Sequence, residues 1–126
     1  GQAVFLAERA SELMQDNIVT DRTIIDVMAF AKSSKSMNYI EADDFCSFAS
    51  NMLNEYDYIF YISPEGVEIE NNGVRETDVN YRKTIDEAIQ LLIIKYRHKI
   101  VNLIEIKGST KERIKLVKQA VSFWYL

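Results

Sequence analysis

Cysteine, histidine and proline each occur once in the 126 residues, as Cys46, His98 and Pro64, and glycine occurs four times. One cysteine excludes an internal disulfide and any cysteine-based zinc site. One histidine beside one cysteine leaves no material for a metal cluster or a Ser-His-Asp arrangement. No apolar run approaches a membrane span of roughly 20 residues. No signal-peptide pattern is visible, which makes a cytoplasmic protein the default expectation. A basic excess is missing as well. The net charge is −4 with both signs interspersed, so nucleic acid and membrane surfaces are not expected partners.

What is present is a single domain by length, with 48% hydrophobic residues to build a core. Leu6, Ala10, Leu13 and Met14 recur at helical spacing over 3–15, and Asp16-Asn17 closes that helix. Asn17 to Asp21 reads as a short buried strand, and residues 22–32 as a helix burying Ile25, Met28 and Ala29. Ser33 to Ser36 is a polar loop. Residues 40–56 form the next helix, with Phe45, Phe48, Ala49, Met52 and Leu53 inward and Asn38-x-x-Glu41 as its capping box. Cys46, between Phe45 and Phe48, reads as a buried, inert thiol.

The aromatic and β-branched run 57–62 is the second strand, stopped by Ser63-Pro64. It is apolar on both faces, as a strand covered by helices on both sides is. Residues 65–76 are a polar loop. Thr77 or Asp78 caps a long helix to about Arg97, with Ile85, Ala88, Ile89, Leu92 and Tyr96 inward. Residues 100–106 are the third strand and Lys107-Gly108 a turn. Ser109-x-x-Glu112 caps a last helix with Ile114, Val117, Val121 and Trp124 on its apolar stripe. Strands separated by helices imply crossovers and a parallel sheet, so the fold class is α/β.

The stretch Ile18-Val19-Thr20-Asp21-Arg22 draws attention first. It delivers an acid and a base to a strand end, where ligands of open α/β sheets bind. A helix cap at Thr20 or Asp21 explains the same residues. His98, between Arg97 and Lys99, fits a helix carboxyl terminus without any catalytic role. Glu65, Glu68 and Glu70 lack the spacing of a calcium loop and read as solvated. Phe123 to Leu126 is an apolar end that packs on the sheet or, alternatively, forms a homodimer contact.

Asp21-Arg22-Thr23 at a strand end, the strand 57–62 with Ser63, and Gly73 to Arg82 opening a helix together resemble the carboxyl two-thirds of a P-loop nucleoside or nucleotide kinase. The similarity is to the thymidylate-kinase-like and ribosylnicotinamide-kinase-like group, often described as AAA-type ATPases, and it spans nearly the whole chain. It implies a three-layer α/β/α parallel sheet, of which about three strands are present. It implies ATP and magnesium, with a nucleoside, nucleotide or related phosphate acceptor. Asp21 would take the acceptor's proton or hold the magnesium shell. Arg22 would hold the acceptor. A lid over 65–82 would carry Arg75 and Arg82 to the phosphates. Lys107, Gly108 and Ser109 would lie against the base. Phosphoryl transfer suits these types, because positioning and charge stabilisation do most of the work and arginine presents a permanently charged fork. A solvated helix start, with Arg82 paired to Asp78 or Asp86, is the alternative for the arginines.

One departure is large. No Gly-x-x-x-x-Gly-Lys-[Ser/Thr] occurs; the glycines are Gly1, Gly66, Gly73 and Gly108. The family's first two strands are missing too. In its order 2-3-1-4-5, a gap would separate the strands at 17–21 and 57–62. A fragment, direct closure of the remaining strands, and completion by another copy all stay open. A start inside an uncapped amphipathic helix favours the fragment. A non-catalytic interaction module that keeps the scaffold without nucleotide binding is the competing functional expectation.

Overall fold

The computed structural model describes residues 2–15, 18–63 and 76–121. In chain order these form α1 (Gln2–Leu13), α2 (Ile24–Ser33), α3 (Tyr39–Ser50), β1 (Ile59–Ile62), α4 (Glu76–Lys95), β2 (Leu103–Ile106) and α5 (Thr110–Val121). Short 3-10 turns at Leu53–Glu55 and Arg97–Lys99 lead into β1 and β2.

The centre is α2. Its sequence IIDVMAFAKS is apolar on nearly every side, and Ile24, Ile25, Val27, Met28, Ala29 and Ala31 are all buried. A helix of that kind must be wrapped, and α1, α3 and α4 all pack on it. Its cap is Thr23, correcting the expected Thr20 or Asp21. The Thr23 hydroxyl accepts from the Ile25 N–H at 3.1 Å, and Asp26 Oδ2 accepts from the Thr23 N–H at 2.9 Å. The box was hidden because its acid is Asp rather than Glu.

Helix α3 approaches α2 through small residues. Ala42, Cys46 and Ala49 are buried at one-turn spacing, and Cys46 Sγ donates to the Met28 carbonyl at 3.5 Å. Burial pushes the Cys46 thiol above its ordinary range, as an inert thiol requires. Phe48, expected inward, is 61% exposed. The close seam between small side chains leaves no room for a ring beside it. The 40–56 helix also ends early, at Ser50, and finishes in the 3-10 turn. Asn38 Oδ1 caps the Glu41 N–H at 2.9 Å, as expected. Asp43 on α3 pairs with Lys32 on α2 and with Lys95 on α4 at 3.3 Å, tying three helices together. The Lys32 contact, then Lys95, holds the Asp43 carboxyl below its ordinary value.

The two strands pair directly and in parallel, Ile59 opposite Leu103 through Ile62 opposite Ile106. α4 is the crossover between them; it ends at Lys95, two residues before the expected Arg97, because Arg97–Lys99 tightens into 3-10 geometry. Ile59 packs with Leu92, Tyr96 and Ile100, while Tyr61 Oη donates to Asp86 on α4. The helix therefore covers one sheet face and runs antiparallel to β1. Phe60 and Ile62 alternate to the other face, where Phe60 is half-buried and Ile62 is 55% exposed, so among the described residues that face of β1 is only partly covered. On α5, Ile114 is 51% exposed rather than buried; a sheet two strands wide offers that helix little to sit on. Trp124 and Phe123 to Leu126 lie outside the described residues.

The expected strand at 17–21 is absent among the described residues. Ile18, Val19 and Thr20 are irregular, and Val19 is 93% exposed. A strand needs a partner for its backbone groups, and none of the described elements pairs with this one. The Thr20 hydroxyl instead donates to the Arg22 carbonyl at 2.8 Å, closing a local turn.

Tyr56, just before β1, is buried, and its hydroxyl accepts the Ile24 N–H at 3.2 Å. Burial raises its phenol above the ordinary value, partly offset by that N–H. Tyr56→Phe leaves a buried helix-terminal donor unmatched, so it should cost about 1–3 kcal/mol. Urea unfolding measures this, and an unchanged midpoint would show that the bond contributes nothing.

Candidate functional site at the strand tips

The carboxyl ends of β1 and β2 lie side by side because the strands are parallel and in register. Ser63 follows β1 and is buried; Lys107, Gly108 and Ser109 follow β2. Gly108 has φ +101°, a left-handed conformation that side chains resist. A Cβ there would also collide with the Glu112 carboxylate, although that side chain can swing aside. Gly108→Ala should therefore cost about 1–3 kcal/mol, chiefly from the backbone. Thermal unfolding checks it, and a neutral result would mean that the turn has another conformation in solution.

Ser109 uses its hydroxyl to cap α5, accepting the Glu112 N–H at 3.2 Å. That is the serine half of the expected box. Lys107 is exposed and lies 3.5 Å from Glu105.

One residue here escaped sequence reasoning. Arg113 Nε donates to the Gly108 carbonyl at 2.8 Å and its second terminal nitrogen to the Ser63 carbonyl at 3.2 Å. A single half-buried guanidinium thus ties the tip of one strand to the turn after the other. Its sequence signal is faint: an arginine four residues after a capping serine, among Lys111 and Lys115.

Arg82 belongs to the same end. Asp86 is level with Tyr61, which donates to its Oδ1 at 2.7 Å. Arg82 lies one turn earlier on α4, about 6 Å further toward the strand tips at 1.5 Å per residue. Its side chain is exposed and has no partner among the described residues. The alternative pairing with Asp86 is not made, since Gln90 Nε2 donates to the other Asp86 oxygen at 2.7 Å. Burial, then the Asp86 acceptor, raises the Tyr61 phenol far above its ordinary value, so it remains a donor. Arg75 lies outside the described residues, as does most of the expected lid.

Asp21 and Arg22 sit elsewhere. Thr20 lines a small cleft with Glu55, Tyr56 and Asp57, and Ile24 bonds to Tyr56. Thr20 just before the acid–base pair and Ile24 two residues after it thus lie near residues that lead into β1. The pair belongs to the amino end of the sheet, across the molecule from Ser63 and Lys107. The expectation that all three tips face one crevice is not met by this arrangement. The reason is the missing strand, without which nothing carries residues 18–20 along the edge of β1.

The donor set decides what each end can hold. At the strand-tip end Lys107 has Glu105 beside it and Arg113 is bonded to two carbonyls, which leaves the exposed Arg82 guanidinium as the group that suits phosphate oxygens. Among the described residues no group of three His, Cys, Asp or Glu side chains could hold a metal ion. No helix among them is long and apolar enough to cross a membrane.

A family model described as an AAA domain covers residues 2–113. Neither the curated proteins nor the solved structures yield a match.

Proposed function

The chain belongs to the AAA domain family, and from that premise we propose that it is part of a P-loop nucleotide-binding ATPase or phosphotransferase domain. The observation that carries this reading is the parallel β1–α4–β2 unit, whose strand tips gather Arg82, Lys107 and Arg113 at one end. Ligands of parallel sheets bind at that end. In the family order the second and third of the expected strands are neighbours, which agrees with their direct pairing.

In this reading Arg82 contacts the phosphates, and Arg75 joins it from the lid. Lys107 and Gly108 border the base, with Arg113 fixing the turn they stand on. Ser109 accepts from α5 and keeps its own O–H free to donate. The loop that cradles phosphates with backbone N–H groups is not among these 126 residues. The acceptor is a nucleoside, a nucleotide or a related small molecule, and water in the ATPase version. Magnesium enters with the nucleotide, and no step is assigned to it.

The test is thermal unfolding of the intact protein with ATP and magnesium. A ligand at a hundred times its dissociation constant stabilises by about 2.7 kcal/mol, a rise of several degrees. No shift at millimolar ATP would reject nucleotide binding. It would favour the second reading, a non-catalytic module on the same scaffold, which the amino-end position of Asp21 and Arg22 supports.

A further inference from the structure

The amino end of the molecule, opposite the strand tips, holds a recess of about 310 Å³. The end of α3, the first 3-10 turn and the second 3-10 turn surround it, contributing Ser50, Asn51, Asn54, His98, Lys99 and Val101. Lys99 Nζ projects into the gap between α3 and the second turn. It donates to Ser50 Oγ at 2.9 Å and Asn51 Oδ1 at 3.1 Å, and stands 5.6 Å from the Tyr96 ring.

Every one of those acceptors is neutral. Among the described residues no carboxylate pairs with Lys99, and the nearby acid Asp43 already serves Lys32 and Lys95. Ser50 is fully buried, and its hydroxyl donates to the Ser47 carbonyl at 2.7 Å. It is a fixed anchor for the ammonium. Asn51 turns its oxygen toward Lys99, so its amide hydrogens point away from it. Asn54 and His98 stand exposed at the rim, with no side-chain partner among the described residues. An imidazole offers at least one N–H in any state. The carboxyl end of α3 explains why a cation sits here. It does not use the amide and imidazole donors on the rim.

We propose that this recess binds a small oxyanion, a phosphate or carboxylate group, on Lys99 with donors from Asn54 and His98. The site is separate from the strand tips and does not depend on nucleotide binding there.

Titration of the intact chain, followed by ¹⁵N–¹H spectra at ionic strength fixed with chloride, tests it. Inorganic phosphate and acetate are the two probes, and whichever saturates identifies the group. Saturable shifts are expected at 51, 54 and 98–101. Lys99→Ala should abolish them, while Asn54→Ala and His98→Ala should each weaken binding about tenfold, a loss of roughly 1.4 kcal/mol by the affinity relation. Because Lys99→Ala also removes a helix-end contact, the two rim variants decide if it fails to fold. Non-saturating shifts with both probes, affinities unchanged in both rim variants, or shifts confined to 107–113 would overturn the proposal.

Discussion

Leu53→Ala should remove about 2–5 kcal/mol of stability, the range for emptying a fully enclosed leucine site. Leu53 is 1% exposed and belongs to the cluster with Ile24, Met28, Cys46, Tyr56 and Ile59. It sits in a 3-10 turn whose backbone cannot slide inward, because the Tyr56 N–H bonds to the Leu53 carbonyl at 3.3 Å and the Tyr56 hydroxyl is held by α2. The cavity therefore stays open. Domains of this size are held by only about 5–15 kcal/mol, so the variant should be partly unfolded at physiological temperature. Urea unfolding of both proteins gives the difference. A loss under 1 kcal/mol would mean that the α2–α3–β1 seam repacks and is not the centre of the fold.

That seam was half legible in the sequence. Ile25, Met28, Ala29, Leu53, Leu92 and Tyr96 announce themselves by helical spacing, and all are buried. Phe48 and Ile114 keep the same spacing and are exposed. Periodicity finds the apolar face of a helix, but not how much neighbouring surface exists to cover it. The strands at 59–62 and 103–106 were readable because each has a partner in this chain. Ile18 and Val19 have similar strand propensity but no pairing partner among the described residues, and they form no strand there.

The candidate site divides along the same line. Lys107, Gly108 and Ser109 were legible because a glycine turn and a capping serine are local signals. Arg113 was not, since its importance lies in a 50-residue span from Ser63 that no local pattern records. Asp21 and Arg22 were read as a strand tip, and a strand tip exists only where there is a strand. Their place at the amino end follows from α2 docking on Tyr56, a long-range bond with no motif of its own.

Replacing Arg82 with alanine should lower nucleotide-dependent turnover of the intact protein by about 10²–10³-fold, the usual loss when one preorganised donor to developing charge is removed. The premise is that Arg82 is idle within the described fold: exposed, unpaired, and one turn ahead of an Asp86 already shared between Tyr61 and Gln90. Substitution should therefore leave stability within about 0.5 kcal/mol, as for other surface changes. Arg82→Lys keeps the charge without the planar fork and should recover only part of the rate. Turnover and unfolding measured on the same samples separate the two effects. Near-normal rates in Arg82→Ala would remove Arg82 from the site. Arg22→Ala supplies the contrast, because Arg22 lies at the other end of the sheet. An equal loss there would mean that residues 18–22 reach the strand tips in the working protein, as a paired edge strand would carry them.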